Sequence, residues 1–313
     1  MNYLIPEELK KLSGFNFLSI SDLNFQEISS LIDLASKIKN NLIEFNTSKK
    51  VLGLIFDKAS TRTRVSFQVA MYRLGGTTID INPLTSQIGR GEPIKDTVRV
   101  LSNYVDALAI RTYKQQTLEE YVRWGSIPVV NALTDMEHPC QILADFLTIK
   151  EEFGSFDDVV ITYIGDGNNV ANSLLLCGSI MGVQVKIGCP DRFRPNPLII
   201  KKADNLSPQS KKPFITNDPN KAVDGANVIY TDVWASMGQE DESAKRDKIF
   251  EGFCVNKKLL SRAKGDAIVL HCLPAYREKE ISDETFECDS SRVFSQAENR
   301  LHAQQALLAC LLS

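Results

Sequence analysis

The chain has 313 residues, 43% of them hydrophobic and 24% charged, with a net charge of −3. That length accommodates two domains with separate cores, the composition excludes a disordered or fibrous chain, and the slight negative charge argues against general nucleic-acid binding, which needs a broad basic face. Seven cysteines without a C-x-x-C pair, and three histidines far apart at positions 138, 271 and 302, argue against a disulfide framework and against a metal site.

Residues 1–18 alternate polar and apolar side chains and carry Glu7 and Glu8, so no secretory or transit signal is expected; with no apolar run of about 18 residues there is no membrane span, and the expected compartment is the reducing cytoplasm. Residues 25–38 read as an amphipathic helix. Residues 51–56 form an apolar strand that ends at Asp57-Lys58-Ala59-Ser60-Thr61-Arg62-Thr63-Arg64. Phe67, Ala70, Met71 and Leu74 then fall at helical spacing until Gly75-Gly76 stops the run. The turn therefore meets a helix N-terminus. Free backbone N–H groups, the positive dipole end, the hydroxyls of Ser60, Thr61 and Thr63 and the forked charge of Arg62 suit a phosphate there. The same residues also fit a plainer reading, with Ser60 as an N-cap and the arginines solvated.

A β-branched strand at 77–81 leads into 82–92, a stretch rich in Gly, Ser, Thr and Pro that reads as a mobile loop over the site. Pro93 opens a helix with Ile94, Val98 and Leu101 on its apolar face. The buried strand 107–110 places Arg111 at its carboxyl end, where open α/β sheets bind ligands. After a helix at 118–124, the strand 127–132 contains Pro128, which suggests an edge or a strand start. His138-Pro139-Cys140-Gln141 enters another helix, and 154–158 reads as the break between domains.

The pattern then restarts. A strand at 159–164 feeds Gly165-Asp166-Gly167-Asn168-Asn169 and a helix carrying Val170, Leu174, Cys177 and Met181. This is either a plain tight turn or a partial dinucleotide fingerprint with Asp191 as its ribose ligand; Val170 stands where the third glycine would be. The strand 228–231 ends at Asp232, residues 239–248 read as a charged, solvent-facing loop able to close over a ligand, and the strand 267–270 delivers His271-Cys272-Leu273-Pro274. A final helix covers 296–312.

This alternation implies an α/β protein of two domains, 1–150 and 151–313, each a parallel sheet covered by helices on both faces, with the C-terminal helix packed back onto the first. Polar residues at the strand ends would then line an interdomain cleft. The first half supplies cations and donors; the second supplies an amide, a carboxylate and a thiol, which suits a substrate with an amino group.

The motifs Phe56-x-Lys58-x-Ser60-Thr61-Arg62-Thr63-Arg64, Arg111-Thr112, His138-Pro139-Cys140-Gln141-x-Leu143-Ala144-Asp145, Asp232-Val233-Trp234-x-Ser236-Met237-Gly238, His271-Cys272-Leu273-Pro274 and Gln296-Ala297-Glu298-Asn299-Arg300-Leu301-His302 stand in the order and spacing of the carbamoyltransferases. The chain resembles that family nearly end to end, and Ser236-Met237-Gly238 with Cys272 resembles its ornithine branch.

The resemblance implies that Ser60, Thr61, Arg62 and Thr63 grip the phosphate of carbamoyl phosphate. Gln87, Arg111, His138, Gln141 and Arg300 supply further contacts, several near the carbonyl oxygen, and the carbamoyl amine meets Gln141 and the backbone carbonyls of Cys272 and Leu273. Asn169, Asp232, Ser236 and Met237 would bind ornithine, with Cys272 and Asp232 preparing its amine. Cys272, Asp232, Arg111 and His138 are thus the expected catalytic residues. The resemblance further implies citrulline and phosphate as products, a role in arginine biosynthesis, no cofactor and no metal, and a homotrimer or a multiple of it with no nucleic-acid or membrane partner. Rival readings are a carbamoyltransferase for putrescine or N-acetylornithine, a nicotinamide-dependent oxidoreductase, and a non-catalytic binding protein that keeps the pocket.

Overall fold

The computed structural model describes residues 5–235 and 243–313. The chain divides into two compact units, one made of Met1–Leu147 and Glu298–Ser313 and the other of Thr148–Ala297.

In the first unit α1 (Phe25–Lys39) precedes β1 (Val51–Phe56), α2 (Arg62–Arg73), β2 (Thr77–Ile81), α3 (Ile94–Leu101), β3 (Ala107–Arg111), α4 (Gln115–Trp124), β4 (Val129–Leu133) and α5 (Pro139–Phe153). The four strands are parallel in the order β2-β1-β3-β4. β1 and β3 are central and buried almost throughout, which is why they are continuous apolar runs, whereas the edge strand β2 leaves Thr77, Asp80 and Ile79 partly or fully open. Pro128 stands just before β4, at an edge, where the missing N–H costs the ladder nothing. Residues 82–92 contain two short 3₁₀ turns, Pro83–Thr85 and Ile88–Arg90.

The second unit repeats the plan with β5 (Val160–Ile164), α6 (Asn169–Ile180), β6 (Gln184–Gly188), α7 (Pro197–Leu206), β7 (Phe214–Thr216), α8 (Pro219–Val223), β8 (Val228–Thr231), α9 (Ser243–Ile249), α10 (Lys257–Leu260), β9 (Ile268–His271), α11 (Asp283–Phe286) and the start of α12 (Val293–Leu311). Its five strands are parallel in the order β7-β6-β5-β8-β9. Helices cover both faces of each sheet, and Trp234, Phe250 and Phe253 pack with Ile229 and Val269 on one side of the second. The charged stretch 239–248 is not a solvent-facing loop over its described part. Residues from 243 are helical, and Arg246 is buried.

Both orders reverse direction once, between β1 and β3 in the first sheet and between β5 and β8 in the second. Open parallel sheets bind ligands beyond the carboxyl ends of the strands at such a reversal, because the connecting helices leave there on opposite faces. Those ends carry residues 57–64 and Arg111 in one unit, and residues 165–169 and Asp232 in the other.

Candidate active site

In the first unit the turn after β1 is held from below: the Asp57 N–H donates to the Arg111 carbonyl at 2.8 Å. Lys58 is buried, donates to Asp135 Oδ1 at 2.5 Å and lies 4.2 Å from the centre of the Tyr113 ring. Arg64 pairs with Asp80 and lies over Phe56. Arg62, exposed at the start of α2, has no ion pair among the described residues. Thr61 is the N-cap residue and makes no side-chain capping bond, so Ser60 does not cap this helix. By contrast, α1 and α6 are capped by Asn24 and Asn168. The first N–H groups of α2 are thus left for an external acceptor, beside a guanidinium with no internal commitment.

Behind this turn lies a buried donor cluster. Arg300 on α12 donates to Gln141 Oε1 at 2.5 Å, to Thr63 Oγ1 at 3.4 Å and to His138 Nε2 at 3.4 Å, and Gln141 passes the chain on to Asp145 at 2.7 Å. Arg111, the last residue of β3, is buried as well. Burial, followed by the positive charges of Arg300 and Arg111, holds His138 well below the ordinary imidazole value. His138 is therefore neutral at neutral pH, the state in which an imidazole polarises a carbonyl through a hydrogen bond without adding a third buried charge. Gln87 is exposed at the start of the second 3₁₀ turn.

In the second unit, among the described residues, Asp232 accepts three hydrogen bonds. The Val233 N–H donates to Oδ1 at 2.8 Å, the Cys272 thiol to the same oxygen at 3.1 Å, and the Asn168 amide to Oδ2 at 2.8 Å. Asn168 is fixed from its other end, because its Oδ1 accepts from Val170 and Ala171 at the α6 N-terminus and from the Tyr163 hydroxyl. One amide thus caps a helix and aims a carboxylate. Asn169 is the first residue of α6 and half-buried; Ser236 and Met237 lie outside the described residues. Asp166 pairs with Arg246 at 2.6 Å, and the same Arg246 nitrogen donates to the Trp234 carbonyl at 2.7 Å. Burial pushes the Asp166 carboxyl up to about 6 against the pull of that guanidinium.

Asn168, Lys58 and the Asp166–Arg246 pair were not among the expected site residues. Asn168 carried a signal, an Asn directly ahead of an apolar helical run. The ion pair joins positions 80 residues apart and had none.

The geometry removes the dinucleotide reading. A Cβ at Gly167 would stand 2.2 Å from Pro195 N and 2.6 Å from the Phe193 carbonyl, so this glycine admits the chain's own backbone where the fingerprint glycine admits a pyrophosphate. The α6 N–H groups are already taken by Asn168, and Asp191 binds Arg194 and Asn217. A metal reading fares no better. Ligand atoms of Asp232, His271 and Cys272 lie within 4.8 Å of one another, but both His271 ring nitrogens are engaged, by the Leu273 N–H and by Glu280. A thiol and one carboxylate remain, fewer than a closed site needs.

Residues 16–151 match the family model of the aspartate/ornithine carbamoyltransferase carbamoyl-P binding domain, and residues 157–311 match that of the Asp/Orn binding domain. The chain is 62% identical over 302 residues to an ornithine carbamoyltransferase of Prochlorococcus marinus subsp. pastoris, covering 96% of this chain and 98% of that protein. It is similar to the ornithine carbamoyltransferase structure from Pyrococcus furiosus, with a TM-score of 0.92 at 44% identity over 96% of this chain and 98% of the other. The structure from Gloeobacter violaceus aligns with a TM-score of 0.87 at 47% identity over 95% and 98%.

Proposed function

We propose, because the chain belongs to the aspartate/ornithine carbamoyltransferase family, that it transfers the carbamoyl group of carbamoyl phosphate to the side-chain amine of L-ornithine, giving L-citrulline and phosphate. The observation that carries the anion half of this reading is the uncapped α2 N-terminus beside the uncommitted Arg62. Ser60, Thr61, Arg62, Thr63 and Gln87 take the phosphate. Arg111, His138, Gln141 and Arg300 surround the carbamoyl group, where attack turns the carbonyl oxygen into an oxyanion and each preorganised donor is worth about 2.7 to 4 kcal/mol.

Asn169, Asp232, Ser236 and Met237 receive ornithine. Its side-chain amine, similar to that of lysine, has a solution pKa of about 10.4 and arrives as an ammonium that cannot attack. The Asp232 carboxylate attracts that ammonium, and with Cys272 it orients the nitrogen and favours loss of one proton. The nitrogen lone pair then forms the C–N bond to the carbonyl carbon. The bond between the carbonyl carbon and the bridging oxygen breaks, and phosphate leaves with that electron pair and takes up the second proton of the attacking nitrogen, the first having passed to solvent.

Incubating the purified protein with carbamoyl phosphate and L-ornithine, putrescine or N-acetylornithine, and measuring ureido product, tests the assignment. Product from ornithine is expected. Product from putrescine alone sinks the ornithine assignment, and none from any amine leaves a binding protein. Arginine biosynthesis is the direction we adopt, and strongly sigmoidal carbamoyl phosphate saturation would reverse it. None of the described helices is long and apolar enough to cross a membrane, and all seven cysteines are free thiols, which supports a reducing cytoplasmic setting. Recovery of the protein in an extracytoplasmic fraction would refute that setting.

The working assembly is a homotrimer or a multiple of it. Support comes from exposed apolar side chains of the first unit: Val65 and Tyr72 on α2, Ile79 on the edge strand β2 and Leu84 just beyond are exposed by 49%, 80%, 47% and 91%. Light scattering should give about 105 kDa or a multiple, against 34.9 kDa for one chain, and Tyr72→Glu should lower it. A wild-type mass near that of one chain rules the trimer out.

A further inference from the structure

His271 is the last residue of β9 and Glu280 lies in the loop before α11; both side chains are fully buried, at 0% and 1% exposure. The Leu273 N–H donates to His271 Nδ1 at 2.9 Å, and Nε2 stands 3.1 Å from Glu280 Oε1. A backbone N–H can only donate, so Nδ1 must hold a lone pair and the ring hydrogen must sit on Nε2, facing the carboxylate. These distances select one neutral tautomer. A protonated ring would turn an N–H against the Leu273 N–H and lose that bond.

The rest of the loop is tied to the same two residues. Glu280 Oε1 also accepts from the Tyr276 N–H at 2.5 Å, and the His271 N–H donates to Gln296 Oε1 at 2.9 Å. Leu273 needs holding, since its φ of +62° lies in the left-handed region that a non-glycine residue rarely adopts. Immediately before it stands Cys272, whose thiol donates to Asp232 at 3.1 Å.

We propose that Glu280 and His271 are positioning residues for the transfer reaction: Glu280 selects the Nε2–H tautomer, the Nδ1 lone pair clamps the Leu273 N–H, and the clamped turn aims the Cys272 thiol at Asp232. Both side chains are fully buried, so they act through the turn. The inference rests on the ornithine reading for its kinetic consequence and on geometry alone for the tautomer.

Two measurements on the full chain test it. The chain has three histidines, so ¹⁵N-imidazole labelling resolves each ring by NMR, and His271 is expected as the neutral Nε2–H form at neutral pH. An Nδ1–H or doubly protonated His271 overturns the proposal. In kinetics, E280A should lower kcat about 10²-fold, the scale of a misplacement of about 1 Å near the reacting atoms, with KM for carbamoyl phosphate unchanged. E280Q keeps an oxygen that accepts from Nε2–H, and should recover kcat to within about tenfold of the parent enzyme. Folded E280A with the parent kcat overturns the proposal. Should E280A not fold, H271N and H271L decide: the asparagine oxygen can still accept from Leu273, so H271N must keep the higher kcat, and equal rates overturn the clamp. Failure of the wild-type protein to make product from ornithine would defeat the proposed reaction, and the NMR result would still report on the tautomer.

Discussion

Replacing Arg300 with methionine is expected to lower kcat/KM for carbamoyl phosphate by about 10² to 10³, the loss seen when one donor facing a developing oxyanion is removed. Methionine fills much of the volume and supplies no donor. Gln141 Oε1 and Thr63 Oγ1, both buried, then lose the guanidinium that now donates to them, and an orphaned buried acceptor costs about 1 to 3 kcal/mol of stability. Lysine at the same position should fall between, since a point charge cannot serve acceptors spread across a planar fork. Steady-state kinetics with urea unfolding separates the two effects. A folded variant with unchanged kcat/KM would remove Arg300 from the site.

The same substitution has a signed consequence for pH. His138 is held below its ordinary value by burial first and by Arg300 and Arg111 next. A depressed folded pKa contributes stability that is complete above the unfolded value of about 6.5 and is lost as pH falls toward the folded one. Removing Arg300 leaves the burial and takes away one repulsive charge, so His138 moves part of the way back and acid destabilisation from this group becomes smaller.

Asp232→Asn should lower kcat/KM for ornithine by about 10² or more, the scale of a positioned acid/base group, with carbamoyl phosphate binding little changed. The substituted amide presents an N–H₂ where either the Asn168 amide or the Cys272 thiol now donates, so at least one of those bonds becomes a donor–donor contact. Cys272→Ser keeps a donor and should cost less. For wild type, kcat/KM for ornithine should rise with pH as the amine loses its proton, and an enzyme group that assists adds a limb that moves in the variants. Mutant profiles that superimpose on wild type after scaling, with ornithine affinity intact, would return the pair to a packing role.

The buried strands were legible because parallel strands covered on both faces are apolar along nearly their whole length, as β1, β3, β8 and β9 are up to the Arg111, Thr231 and His271 that close the last three. β6 and β7 escaped notice for the complementary reason. Lys186 interrupts β6, and β7 is a three-residue edge strand with Phe214 exposed, so neither has an apolar run long enough to count. At the candidate site most of the expected residues stood in motifs, whereas several that hold them in place did not. Glu280 and Arg246 look like any charged surface residue in a polar stretch, and only the fold places them in the interior opposite His271 and Asp166. Burial of a charge is decided by partners distant in sequence, and local composition carries no trace of it.

The split of the first unit around the second has a consequence for the order of biosynthesis. A ribosome releases residues 1–147 first, then the whole of 148–297 as an uninterrupted stretch, and only after it the segment 298–313 that carries Arg300 and ties Leu311 to Gly14. The later-made unit is therefore free to fold before the earlier one is complete. Until residues 298–313 emerge, the nascent chain carries the α2 turn, Arg111 and His138 without the guanidinium that links Thr63, His138 and Gln141. The donor cluster is thus finished only after Arg300 has been made, and a chain stopped just short of that residue would carry all the strands of both sheets without the guanidinium that joins Thr63, His138 and Gln141.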